Sequence, residues 1–263
     1  MGTTEKKLRV AAVQLSPVLF DRDGTTEKVI NYIAKCGRED IRLAVFPETF
    51  IPNYPYFAWL NPPATTAELH GRLHEQAVEI PGPVTEALGA LICWEHYMPL
   101  ARYALIAQGE QIHCSHFPGA MAGDSMAQQI DAAIRHHAME SGAFVVNATG
   151  WLTDRQRAEI APDASLAKYL KGGNCTGIVA PYGVYLAGPL GDGEDMALAE
   201  IDLNAIVRQK NVLDTAGHYS RPDIFKLSID RSERRVFEEM EQRFDEIEKE
   251  DSDSRPHGLD VSE

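Results

Sequence analysis

Apolar runs of strand length alternate with amphipathic stretches along most of this chain. Leu8 to Leu15 (LRVAAVQL) and Arg42 to Phe46 (RLAVF) are short aliphatic runs followed by Pro17 and Pro47, and they read as buried strands. Between them Val29, Ile30 and Ile33 recur at helical spacing within Thr25 to Lys35, which predicts a β–α–β opening to the fold. The alternation returns with a strand end at Ala90 to Cys93, a helix over Pro99 to Gln108, a strand over Gln111 to Ser115, a helix over Ser125 to Ser141 and a strand over Phe144 to Ala148. Beyond Trp151 a polar, helical excursion precedes three short strands, Thr176 to Ala180, Val184 to Ala187 and Met196 to Ile201, divided by glycine and proline turns. Asp202 to Val212 reads as a helix opening on an aspartate cap.

The pattern changes after residue 230. In SERRVFEEMEQRFDEIEKE, Val236, Met240, Phe244 and Ile247 form one apolar stripe on an otherwise charged helix, suited to rest one edge on the body or on another subunit. The expected organisation is an α/β domain over 8–230, a charged helix over 231–250 and a disordered tail over 251–263.

Charge and cysteine content narrow the function. The formal net charge of −14 argues against nucleic acid or an anionic membrane as partner, although much of the acid lies between Glu233 and Glu263. The chain lacks the roughly 18-residue apolar run that a membrane span needs, and Met1 to Arg9 has no apolar signal region. Cys36, Cys93, Cys114 and Cys175 stand far apart with no CxxC pair, which speaks against zinc and against a disulfide framework. A reduced, cytoplasmic setting is the expectation.

Two segments carry candidate chemistry. In GALICWEHYMP (Gly89 to Pro99) an apolar strand delivers Cys93 into a turn that opens a helix, where the helix N-terminus favours thiolate, the nucleophilic form. By itself a cysteine after an apolar strand is more often a small buried hydrophobe. In FPETF (Phe46 to Phe50), Glu48 follows a buried strand and precedes an aromatic, proline-rich loop, Ile51 to Pro63. Desolvation among Phe50, Tyr54, Tyr56, Phe57 and Trp59 would raise its pKa toward that of a working general base. A capping role is the plain alternative. Both residues sit at C-terminal strand ends, the edge at which open α/β sheets bind ligands. His96, His113, His116, His136 and His137 offer no metal-ligand spacing, so they read as structural, and neither metal nor cofactor is expected.

These blocks together resemble the nitrilase branch of the carbon–nitrogen hydrolase superfamily. VAAVQLSPV, LAVFPETFIPNYPYF, ALICWEHYMPLARYALIAQGEQIHCSHFPG, RHHAMESGAFVVNATGW and AGHYSRPD occur in order across most of Leu8 to Asp223, and CWEH combined with an upstream FPET is highly specific. The resemblance implies a four-layer α–β–β–α sandwich and a Glu–Lys–Cys triad with Glu48 as general base and Cys93 as nucleophile. It further implies hydrolysis of a small nitrile to the acid and ammonia through a thioimidate and a thioester. Tyr54, Trp94, Glu95, His96 and Asn147 are the candidate pocket residues, with helix capping the stronger alternative for Glu95. Relatives of this kind assemble as dimers that build spirals, so a homo-oligomer is expected, with 97–106 and 218–223 as candidate contact segments.

The chain departs from the pattern at one point. In the family a long stretch carrying core strands, the catalytic lysine and a further active-site glutamate separates the base from the nucleophile. Here IPGPVTEALG (Ile80 to Gly89) runs straight into ALIC, and no lysine stands between Lys35 and Lys168. A sandwich shortened by lost strands, with exposed sheet edges, is the physical expectation. A catalytically silent relative that serves as an oligomer subunit is the rival reading.

Overall fold

The computed structural model describes residues 7–60, 63–77, 91–119, 121, 124–161, 163–170, 172–173 and 175–230. The charged helix expected over 231–250, the tail over 251–263 and the IPGPVTEALG segment lie outside the described residues. The chain divides into a compact unit up to Phe225 and a second unit from Lys226 onward. All elements named below belong to the first.

Strand β1 (Lys7–Gln14) pairs in parallel with β2 (Leu43–Val45) across helix α1 (Arg22–Arg38), and in antiparallel with β8 (Asp195–Asp202), giving a sheet in the order β2-β1-β8. The second sheet runs β3 (Leu91–Ile92), β4 (Ile112–Phe117), β5 (Phe144–Thr149), β6 (Gly177–Val179) and β7 (Tyr185–Ala187). Its first three strands are parallel and its last two pairings antiparallel. Crossovers α3 (Pro99–Ala107) and α4 (Asp124–Ser141) join the parallel strands.

The period-2 alternation of strand side chains assigns the layers. On β1, Val10 and Ala12 face Phe144, Val146 and Ala148 of β5 in the core between the sheets, while Ala11 and Val13 face α1 with Cys36 and Ile41. On the far side Val145 and Phe117 pack beneath Ile130, Ile134 and Ala138 of α4. Helix, sheet, sheet and helix thus make the α–β–β–α sandwich the sequence led us to expect. Strands β1 and β5 are buried on both faces, which is why they read as unbroken apolar runs.

Several boundaries differ from expectation, and Ile30 and Ile33 of α1 are 58% and 54% exposed. Val29 and Ile33 line an open apolar groove with Ile41, Ala44, Phe46, Phe50 and Ile51, beside β2, which has no neighbour on its outer side among the described residues. The aromatic loop expected over 51–63 contains a 3₁₀ turn at Tyr56–Trp59 and leads into helix α2 (Pro63–Glu75). The excursion after Trp151 forms α5 (Asp154–Ile160), opened by a Thr153/Gln156 capping box, and α6 (Ala164–Ala167). Helix α7 (Asn204–Lys210) starts two residues after Asp202, whose carboxylate accepts from the Asn204 backbone amide at 2.9 Å. Both sheets end on very short strands, β2 and β3, and each of these leads directly to a candidate reactive residue.

Candidate active site

Strand β2 ends at Val45, and Phe46-Pro47 carries the chain to Glu48; strand β3 ends at Ile92, and Cys93 is the next residue. Cys93 begins a 3₁₀ turn, Cys93–Tyr97, with its backbone in the left-handed region at φ +48°. That conformation costs a non-glycine residue about 1–2 kcal/mol, and such strain collects at functional sites when the surroundings hold it. The bend turns the cysteine side chain out of the strand direction. Thr49, next to Glu48, is also left-handed, at φ +45°.

The carboxyl of Glu48 and the thiol of Cys93 lie close enough for each to shift the other's proton affinity. Burial lifts Glu48 to about 7, opposed by the neighbouring thiol of Cys93 and reinforced by the nearby charge of Glu95. Its Oε2 is buried with no hydrogen-bond partner among the described residues. Burial also pushes the Cys93 thiol up, to about 12, and the negative charge of Glu48 adds to this, while the Trp94 backbone amide works in the opposite direction. As it stands, thiolate does not accumulate at Cys93. The proton must leave as the sulfur attacks.

Aromatic rings wall the approach. Trp59 and Trp94 lie 5.9 Å apart and are both more than half exposed, and the Trp59 indole N–H donates to the Tyr54 hydroxyl at 3.3 Å. Tyr54 senses the charge of both Glu48 and Cys93, which puts its hydroxyl at the same site. The buried Tyr56 hydroxyl donates to the Pro118 carbonyl, tying this loop to the end of β4. Tyr54, Trp94, Glu48 and Cys93 are therefore brought together.

The other candidates lie differently. Glu95 is exposed, and it does not cap the following helix: the cap position of α3 is Met98, with no side-chain cap. Asn147 is fully buried, accepting from Ser115 Oγ at 2.8 Å and donating to the Cys175 carbonyl at 2.7 Å, so its amide ties the second sheet together. His96 turns inward. Its Nδ1 is 2.8 Å from the Cys93 carbonyl, its ring stacks on Phe117, and its Nε2 lies 3.0 Å from His113 Nε2.

A cluster that sequence spacing did not reveal stands behind His96. Glu110 receives His113 Nδ1 at 3.0 Å on one carboxylate oxygen and His137 Nε2 at 2.6 Å on the other. The donor atoms of Glu110, His113 and His137 lie within 4.8 Å of one another, a grouping with the reach to hold a cation, although Glu110 is already hydrogen-bonded to both histidines. Glu110 precedes β4 and His137 lies on α4, so only the packing of α4 on the second sheet unites them. The available sequence signal was the Glu110–His113 spacing of three at a strand entrance.

Comparison with known proteins fits this geometry. The profile of the family described as carbon-nitrogen hydrolase matches residues 9–88 and 83–211 as two overlapping segments. A nitrilase of Paraburkholderia phymatum is 38% identical over 296 aligned positions, covering 86% of this chain and 87% of the relative. That span exceeds the 263 residues of the chain, so the alignment holds gaps on this side. Among solved structures, the Caenorhabditis elegans NitFhit protein superposes with a TM-score of 0.60 at 16% identity, covering 88% of this chain and 69% of that one. An amidase from Nesterenkonia sp. AN1, solved with an acetamide moiety covalently added at its active-site cysteine, superposes with a TM-score of 0.51 at 15% identity, covering 76% and 92%. These two likenesses establish the fold.

Proposed function

The chain belongs to the carbon–nitrogen hydrolase family, and from that premise we propose that it hydrolyses a small nitrile to the carboxylic acid and ammonia, with Cys93 as nucleophile and Glu48 as general base. The nearness of the Glu48 carboxyl and the Cys93 thiol, each shifting the other's proton affinity from the ends of β2 and β3, is the observation that carries this reading.

In the first step Glu48 accepts the thiol proton as Cys93 Sγ adds to the nitrile carbon, and the nitrile nitrogen takes up a proton, giving a thioimidate. Water adds to that carbon, the carbon–nitrogen bond breaks, and ammonia leaves a thioester on Cys93. A second water cleaves the carbon–sulfur bond, releasing the acid and returning the proton to the thiol. Glu48, with its ordinary pKa displaced to about 7, exchanges protons in either direction near neutral pH. The Trp94 backbone amide, which already bonds to Cys93, is a donor for the charge that develops on the adduct. The rings of Tyr54, Trp59 and Trp94 suit an apolar nitrile substituent.

A second reading is favoured by one observation: the Cys93 thiol is held up at about 12, and no lysine side chain is among the groups acting on it or on Glu48 among the described residues. Gaps on this side of the alignment, and a family match that breaks into two segments meeting near residue 85, support the loss of an internal stretch that would carry such a cation. On this reading the chain is a silent subunit, and the exposed Tyr97, Met98 and Leu100 beside the nucleophile are its contact with a second copy.

The test is intact-mass spectrometry and ammonia assay after incubation with a small aliphatic and an aryl nitrile, beside Cys93→Ala. A thioimidate or thioester adduct and ammonia release, both lost in the variant, support the hydrolase. A folded protein that gives neither supports the silent subunit.

A further inference from the structure

Behind the reactive turn, four polar side chains from different elements form one continuous buried line. His96 lies on the 3₁₀ turn, Glu110 just before β4, His113 on β4 and His137 on α4, and the three histidines are each no more than 2% exposed. The line starts at the Cys93 carbonyl: His96 Nδ1 at 2.8 Å, His96 Nε2 to His113 Nε2 at 3.0 Å, His113 Nδ1 to Glu110 Oε2 at 3.0 Å, and Glu110 Oε1 to His137 Nε2 at 2.6 Å.

The partners dictate where the protons are. A carbonyl only accepts, so His96 Nδ1 carries hydrogen and donates to Cys93. In a neutral ring His96 Nε2 is then an acceptor, and His113 must donate to it from Nε2. Nδ1 of a neutral His113 would therefore be bare and would meet a carboxylate oxygen, two acceptors at 3.0 Å. The contact is a hydrogen bond only if one further proton lies between His113 and Glu110. If His96 were the doubly protonated ring, the count would be the same. All four contacts are hydrogen bonds together only with one proton more than three neutral imidazoles and a carboxylate, and burial, which lowers the pKa of His96 and of His113, works against holding it on a ring.

Resting on the reading of Cys93 as the nucleophile, we propose that the Glu110–His113–His96 line is a positioning relay. It fixes the tautomer of His96 so that its Nδ1–H holds the Cys93 carbonyl and keeps the thiol aimed at Glu48. The Cys93 backbone is strained at φ +48° and needs such a hold. Phe117 stacks on the His96 ring, with centroids 4.9 Å apart, and His113 meets it edge-on, with centroids 5.1 Å apart, so the ring cannot turn. Arg102 braces the same turn from α3, donating to the His96 carbonyl at 2.7 Å and to Glu140 at 3.3 Å. His136 Nδ1 also lies 3.7 Å from Glu140, and Glu95 on the turn itself, Glu48 and His116 are the other titratable groups that face it. The relay acts through Cys93.

Three variants separate positioning from packing. His96→Leu keeps bulk and removes the donor. His96→Asn keeps a donor near the Nδ1 position. Glu110→Gln keeps both links without the extra proton, because its amide donates to His113 and its carbonyl accepts from His137. The primary readout needs no nitrile: the rate at which iodoacetamide alkylates Cys93 across pH 6–10, read by peptide mass spectrometry with Cys36, Cys114 and Cys175 as internal references. A loss of placement should change the Cys93 rate by about tenfold or more in His96→Leu. His96→Asn and Glu110→Gln should return it to within about threefold of the parent, and the reference cysteines should be unmoved. A His96→Leu profile matching the parent would overturn the relay, as would equal loss in His96→Leu and His96→Asn when both melt like the parent. Nitrile turnover is measured on the same samples. A parent that turns over no nitrile while the alkylation pattern holds refutes the proposed function and leaves the relay standing.

Discussion

Glu48 and Glu110 are both largely buried carboxylates near Cys93, and their surroundings send them in opposite directions. Glu48 has a thiol on one side and an unpartnered Oε2 on the other, so desolvation wins and its proton is held up to about 7. Glu110 is desolvated too, but hydrogen bonds from His113 and His137 outweigh that cost and hold it ionised down to about 2. Burial alone does not set the protonation of a carboxyl group; the number of donors aimed at it does. One glutamate is left under-bonded and able to exchange protons. The other is fully bonded and serves as an anchor.

Four changes would break or sharpen this contrast. The largest effect is expected from Cys93→Ala, which removes the proposed nucleophile beside Glu48 and should lower nitrile turnover at least about a thousandfold in an ammonia-release assay. Next is Glu110→Ala. It leaves His113 and His137 without their shared acceptor and should cost about 3 kcal/mol in urea unfolding at pH 7. Because Glu110 ionises lower in the folded protein than in the unfolded chain, its contribution is present above the ordinary value of 4.5 and lost as pH falls toward about 2. The difference between parent and Glu110→Ala should therefore shrink over that range.

Glu48→Gln should act with the opposite sign. A raised folded pKa favours folding fully below 4.5, and that contribution is lost as pH rises through about 7. The permanently neutral glutamine should thus make the protein more stable than the parent by about 2 kcal/mol at pH 8, after allowance for partial solvent screening, and give no gain near pH 4. The same variant should lose turnover and the acid limb near pH 7 of the parent's pH–rate profile. The smallest effect belongs to Glu200→Gln, which removes an exposed ion pair with Lys7 at 2.9 Å, where both side chains are more than half exposed. No measurable change in unfolding temperature is expected there.

Strand β5 and helix α1 show how far the sequence could be read. Phe144 to Ala148 is apolar because β5 is covered on both faces, and that signal needed only local pattern to be found. Helix α1 also carried a clear period, yet Ile30 and Ile33 are exposed, and Ile33 borders the open groove beside the edge strand β2. A periodic pattern reports a face able to be buried, and the neighbours decide whether it is. The 3₁₀ turn at Tyr56–Trp59 escaped notice because aromatic and proline residues suggest a loop when taken one by one.

By itself the sequence determined the order of elements and the sandwich class and pointed to Glu48 and Cys93 as candidates, because strand ends, proline turns and the CWEH and FPET blocks are local features of the chain. Only the tertiary structure decided that Glu48 and Cys93 stand side by side, that Cys93 is bent into a left-handed turn, and that Glu110, His113 and His137 meet behind His96. Those facts depend on how a helix and two sheets pack across residues 27 to 45 positions apart in the chain, and local pattern carries no record of distance in space.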